Sequence, residues 1–162
     1  MNKTIFIVMG VSGTGKTTIG KLLASTLNIP FYDGDDYHPK ENVEKMSAGN
    51  PLNDEDRYGW LAALNELGSD HKTEGAVIAC SALKAKYRTQ LRDTIEDHIV
   101  FVYLEGAYEQ IKSRLDSRDN HFMSSKLLKS QFATLEPPTN AIIASIDQTP
   151  KQIIDHVLSQ LK

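Results

Sequence analysis

Gly10-Val11-Ser12-Gly13-Thr14-Gly15-Lys16-Thr17 satisfies the phosphate-binding pattern G-x-x-x-x-G-K-[ST] at every fixed position. Its glycines let backbone N–H groups turn inward around a triphosphate. Lys16 can reach the β- and γ-phosphates, and the Thr17 hydroxyl can ligate Mg²⁺. The flanks agree with the motif. Thr4 to Met9 is apolar and reads as a buried strand, and Thr17 to Ala24 reads as a helix whose N-terminus faces the anion. Gly10, Val11, Ser12, Gly13, Thr14, Gly15, Lys16, Thr17 and Thr18 are therefore the candidate nucleotide-binding residues.

The rest of the chain alternates strand-like and helical stretches. Further strands are expected at Phe31 to Asp33, Ala76 to Ser81, Ile99 to Leu104 and Ala141 to Asp147. Between them the periodicity predicts helices over 39–50, from an Asn53 N-cap through Trp60, Leu61, Leu64 and Leu67, over 82–93, over 107–117, and after a Ser124 cap. Thr149-Pro150 gives an N-cap with proline at the first helical position of a last helix. Strands separated by helices imply crossovers and a parallel sheet covered on both faces, an α/β fold. Ligands in such sheets collect at the carboxyl ends of the strands. No repeat or linker divides the chain, so residues 1–162 are expected to form one domain.

Composition narrows the class. The chain has 162 residues, 40% hydrophobic and 24% charged, enough for one core. Its net charge of −3 argues against a broad nucleic-acid surface. Cys80, the single cysteine, lies in an apolar run and reads as a core residue in a reducing compartment. No run reaches transmembrane length, so a cytoplasmic protein without a membrane partner is expected. No N-K-x-D guanine signal occurs, which favours ATP over GTP.

The strand ends carry the chemistry. Asp33-Gly34-Asp35-Asp36 follows the second strand, with His38, Lys40, Asn42 and Lys45 close behind. Phosphoryl transfer to a hydroxyl needs an in-line acceptor, neutralised charge and a carboxylate for the proton. Asp35 is assigned as general base and Asp33 as a ligand of Mg²⁺ through water. Gly34 between them lets the two acids face different ways. Arg57, Lys84 and Arg88 are candidates for holding an anionic acceptor, Arg by a bidentate pair and Lys as a point charge. Arg114 and Arg118 share a helix face. The polar segment after them has the composition of a lid that could deliver arginine to the transferring phosphoryl. The third strand ends in Ser81 rather than an acid, and Glu105 after the fourth reads as a surface residue.

Read together, the phosphate loop, Asp33-Gly34-Asp35-Asp36-Tyr37-His38-Pro39, Pro51-Leu52-Asn53-Asp54-Glu55-Asp56-Arg57 and Cys80-Ser81-Ala82-Leu83-Lys84 resemble the bacterial gluconate kinases over nearly the whole chain. The resemblance implies ATP-dependent phosphorylation of gluconate at its 6-hydroxyl, with Mg²⁺. It implies a three-layer P-loop kinase fold with parallel strand order 2-3-1-4-5, a small lid at about 118–133, and a homodimer. It assigns Lys16, Asp35 and Arg118 to catalysis. Thr17 and Asp33 fall at the metal, and Arg114 and Gln148 beside the adenine. His38, Asn42, Lys45, Arg57, Lys84 and His121 join Asp35 around the sugar acid. Two alternatives stand beside this reading: another small-molecule kinase of the same build, such as a shikimate kinase, and a nucleotide-binding switch with no acceptor.

Overall fold

The computed structural model describes residues 4–116 and 125–161. The expected β/α alternation is present. Strand β1 (Ile5–Met9) is followed by helix α1 (Lys16–Leu27), then β2 (Phe31–Asp33), α2 (Lys40–Ser47), α3 (Asp54–Asp70), β3 (Ala76–Ala79) and α4 (Ala85–Arg92). The chain continues through β4 (Ile99–Glu105), α5 (Tyr108–Asp116), α6 (Ser125–Thr134), β5 (Ile142–Ser145) and α7 (Pro150–Ser159). The strands form one parallel sheet in the order β2-β3-β1-β4-β5, as the resemblance implied.

Burial explains that order. Every residue of β1 and β3 is buried, which an unbroken apolar run requires of a strand covered on both faces. β1 lies between β3 and β4, with Ile5 opposite both Ala76 and Ile99. The half-buried β2 and β5 take the edges. The chain leaves β1 for the β2–β3 side and later crosses to β4, so the strand order switches beside β1. The phosphate loop follows β1 directly, at the crevice where open α/β sheets bind ligands.

Two helix starts behave as the sequence predicts. Asn53 caps α3 in a capping box with Asp56, and Thr149 caps α7 in one with Gln152, with Pro150 in the first turn. The start of α4 differs from expectation, at Ala85 rather than Ala82. Ala82 adopts a positive φ of 46°, which no helix interior accepts. That kink is held from afar: Arg88 donates to the Ala82 carbonyl at 2.7 Å and to the Glu136 carbonyl at 2.8 Å. The Glu136 carboxylate accepts the Ala85 N–H at 2.9 Å, supplying the cap that Lys84 does not. Strand β3 correspondingly stops at Ala79, and β5 covers only the middle of the expected run.

The expected lid falls partly on α6, where Leu127 and Leu128 are buried in the core. Arg118, His121 and Ser124 lie outside the described residues. Among the described residues, no helix is long and apolar enough to cross a membrane. Cys80 is fully buried, and that burial pushes its thiol up to about 12, consistent with an inert core residue.

Candidate active site

The phosphate loop ends in Gly15, whose φ of 94° makes the turn into α1. Gly15 has no side chain to cap the helix, and no acid occupies the first turn of α1. The N-terminal amides and positive dipole end of α1 are therefore not neutralised by carboxylates of that turn, which suits an anion. Lys16 folds back so that its Nζ donates to the carbonyls of Gly10 and Val11, each at 3.0 Å. Thr14 Oγ1 donates to the Val11 carbonyl at 2.9 Å and braces the loop from within.

Three adjoining depressions make one trough along the carboxyl ends of the strands. The outer one is lined by Gly13, Thr14, Thr18, Arg114, Ile146 and Gln148. The middle one is lined by Ser12, Gly13, Gly15, Lys16, Thr17, Asp33 and Asp35. It shares Gly13, Gly15 and Thr18 with the outer depression. It shares Ser12, Lys16 and Asp35 with the inner cleft, which adds His38, Arg57, Trp60, Ser81 and Gln131. A base, a triphosphate and an acceptor laid along this trough would meet beside Lys16 and Asp35. Arg114 Nη2 donates to the Ile146 carbonyl at 3.0 Å, which ties the outer wall to the end of β5.

The acidic turn after β2 is a 3-10 helix over Gly34–Tyr37, capped by the Asp33 carboxylate accepting from the Asp35 N–H at 3.0 Å. It lies close to β3: a Cβ on Gly34 would stand 2.3 Å from the Ala79 carbonyl oxygen. Trp60 Nε1 donates to the Gly34 carbonyl at 2.7 Å and fixes the turn from α3. Asp33 faces Thr17, whose hydroxyl is 3.5 Å from Asp33 Oδ2. This pair is a hard oxygen donor set. Among the described residues, no three His, Cys, Asp or Glu side chains cluster as a metal cage. Two protein oxygens beside a phosphate site fit Mg²⁺, which keeps waters and takes phosphate oxygens rather than filling an all-protein cage.

Asp35 lines the middle depression with Asp33 and also the inner cleft, which Asp33 does not line. The packed cleft wall pushes its carboxyl above the usual range, Lys16 pulls it down, and Asp33 and Asp36 add to the rise. Its side chain is still 62% exposed, so solvent moderates all of these effects.

His38 stacks on Trp60 with ring centroids 4.1 Å apart and planes 17° from parallel. Burial, aided by the Arg57 charge, pushes its imidazole down to about 4. Arg57 is 8% exposed, and its Nη1 donates to the Tyr87 hydroxyl at 2.9 Å. Of the remaining expected acceptor residues, His121 lies outside the described residues, and Asn42, Lys45 and Lys84 do not line the cleft. Asn42 is buried behind His38, 3.2 Å from its Nδ1. Lys45 pairs with Asp56 at 2.6 Å, and Lys84 pairs with Asp54 at 3.1 Å. Asp54 also meets Lys86 and the Tyr87 hydroxyl, and this company holds its carboxyl well below the usual range. Lys45, with the Asn53 N–H behind it, lowers the Asp56 carboxyl.

One contact had no signal in the sequence. Gln131 on α6 accepts the Ser12 N–H through Oε1 at 2.7 Å, so an amide oxygen occupies a donor of the phosphate loop. Nothing local in the sequence pairs residues 119 positions apart.

A phosphate loop on a parallel sheet of this order, continuous with an acid-lined acceptor cleft, defines a P-loop small-molecule kinase. The profile of the family described as Shikimate kinase matches residues 12–162. The thermosensitive gluconokinase of Escherichia coli is 50% identical over 82% of this chain and 72% of its own length. The gluconokinase of Gluconobacter oxydans is 45% identical over 94% of this chain and 88% of its own. The crystal structure of a gluconokinase from Sinorhizobium meliloti superposes with a TM-score of 0.88 at 40% identity, covering 98% of this chain and 91% of that one. The chain belongs to the gluconokinase family.

Proposed function

We propose that this protein transfers the γ-phosphoryl group of ATP to the 6-hydroxyl of gluconate, giving 6-phosphogluconate and ADP. The observation that carries the reading is that Lys16 and Asp35 line the same cleft as His38 and Arg57. Phosphate handling, a proton acceptor, a neutral donor and a buried cation thus meet at one point. The names of the relatives, gluconokinases at 40–50% identity, favour gluconate as the acceptor.

In this reading the adenine lies beside Arg114 and Gln148, and the phosphates lie against the amides of residues 10–18. Thr17 and Asp33 would hold Mg²⁺, which neutralises charge on the phosphate oxygens. Lys16 leaves the Gly10 and Val11 carbonyls for the β- and γ-phosphates. Asp35 takes the proton of the 6-hydroxyl as its oxygen bonds to the γ-phosphorus and the bond from that phosphorus to the bridging oxygen of ADP breaks. Arg57 pairs with the gluconate carboxylate, and His38 with a hydroxyl. Asn42 supports His38, and Lys45 and Lys84 shape the field through their partners on α3. The family resemblance adds Arg118 to the catalytic groups and His121 to the acceptor groups; both lie outside the described residues.

The same reading gives a single kinase domain working as a cytoplasmic homodimer. The lone buried Cys80 supports the reducing compartment, and the family resemblance supports the dimer, which sedimentation would check. A coupled assay of ADP release with Mg-ATP tests the reaction, with gluconate, shikimate, glucose and no acceptor run side by side. Strong gluconate-dependent turnover is expected. Turnover only with shikimate would replace the acceptor, and slow turnover indifferent to acceptor would reject the kinase reading.

A further inference from the structure

The amide of Asn42 decides which nitrogen of His38 carries the proton. Asn42 is 3% exposed, and its Nδ2 lies 2.8 Å from the backbone carbonyl oxygen of Asp56. A carbonyl only accepts, so this end of the amide is the NH₂ group. The same nitrogen lies 3.2 Å from His38 Nδ1. It has hydrogens to give and no lone pair with which to accept, so Nδ1 is the acceptor. A neutral imidazole then carries its proton on Nε2. The downward push on His38 keeps the ring neutral near pH 7, and the stack on Trp60 fixes its plane. Nε2 faces the cleft 3.9 Å from Asp35 Oδ1, a gap too long for a direct hydrogen bond.

We infer that Asn42 locks His38 as its Nε2–H tautomer, so that His38 Nε2 and Asp35 Oδ1 form a clasp for one hydroxyl of the acceptor. The inference rests on the polyol acceptor proposed above. Two hydrogen bonds of about 2.8 Å reach across this gap with a hydroxyl oxygen at the apex. His38 donates to that oxygen, and the hydroxyl donates to Asp35. A keto oxygen or a bare methylene at that position leaves one partner unmet. Oδ2 of Asp35 stays available for the reacting hydroxyl, so the clasped group is a neighbour of it. Asn42 acts through His38 and is a positioning residue.

The test combines a spectrum with kinetics. Nitrogen-15 NMR of histidine-labelled protein near pH 7 reads the tautomer directly, with His38→Gln assigning the resonances. A neutral, Nε2-protonated His38 is expected; an Nδ1-protonated or doubly protonated ring overturns the inference. Asn42→Asp reverses the polarity toward His38, since a carboxylate accepts from Nδ1–H, and it also gives up the hydrogen bond to the Asp56 carbonyl. It should move the proton to Nδ1, and the gluconate KM should rise about tenfold or more, the loss of one hydrogen bond to a buried polar group, with the ATP KM held. A moved proton with unchanged gluconate KM overturns the clasp. Should Asn42→Asp fail to fold, the wild-type spectrum and the gluconate KM of His38→Gln, which keeps an N–H donor, against His38→Leu, which has none, decide the same points. Equal KM values in that pair overturn the clasp. Absence of gluconate turnover would refute the proposed substrate, while the spectrum would still decide the tautomer.

Discussion

Acidification should destabilise this protein through His38 before it reaches the carboxylates. The unfolded imidazole titrates at 6.5 and the native one at about 4. Between these values the unfolded chain binds more protons, so stability falls as pH falls. Above 6.5 both states are neutral and His38 contributes nothing to the pH dependence. The difference of about 2.5 pKa units corresponds to about 3 kcal/mol, lost in full below the native value. With its side chain only 4% exposed, the group is shielded from solvent screening. The assay is urea unfolding followed by the fluorescence of Trp60, the sole tryptophan and the stacking partner of His38. Wild type and His38→Phe, which keeps an aromatic ring on Trp60, are compared at about pH 7.5 and about pH 4.5. Wild type should lose about 2 to 3 kcal/mol more than the variant over this interval. Asp54 and Asp56, whose carboxyls are depressed, lose their stabilisation only at lower pH, and they remain in both proteins. Raised Asp35 acts in the opposite direction and is also common to both. Parallel acid limbs would refute the buried, neutral His38.

Asp35→Asn should lower kcat about a hundredfold or more while the ATP KM holds, because it removes only the proton acceptor; collapse of ATP binding with unchanged acceptor kinetics would remove Asp35 from that role. Arg57→Met should raise the gluconate KM far more than Lys84→Met does, since Arg57 lines the cleft and Lys84 is bound to Asp54; equal effects in steady-state kinetics would refute the distinction. Gly34→Ala should cost about 1–3 kcal/mol in urea unfolding and depress kcat, because its Cβ would meet the Ala79 carbonyl oxygen and shift Asp33 and Asp35 together. An unchanged midpoint would show that the turn can give way.

Legibility in the sequence followed the range of the interaction. The phosphate loop, the Asp33–Asp35 turn and the N-caps Asn53 and Thr149 are read within a few residues, because each is held by bonds between near neighbours. Burial of β1 was equally local, since its apolar run fits only an interior strand. What escaped depends on residues brought together by the sheet. Charge and position made Lys45 and Lys84 candidates for the acceptor, but the first turn of α3 reaches both. The late start of α4 depends on Glu136, which lies 51 positions from the amide it caps. The Gln131 contact to Ser12 and the His38 stack on Trp60 likewise have no periodicity or motif to announce them.

That first turn of α3 also resolves a problem of charge. A site for a triphosphate and a sugar acid must hold two anions, and a pool of unpaired lysines would attract either one to either place. Asp54 and Asp56 engage Lys84, Lys86 and Lys45 outside the cleft, while Arg57, the next residue, turns inward. Lys16 and Arg57 are then the cations lining the inner cleft among the described residues. One is anchored to the phosphate loop and the other to Tyr87. Opposite charge favours each anion most strongly where its cation is fixed, and a buried guanidinium discriminates better than a mobile ammonium. The acids of α3 thus contribute to acceptor orientation without touching the acceptor: by neutralising the surrounding lysines, they leave the positive charge of the cleft at two separated points, with Asp35 lining the same cleft.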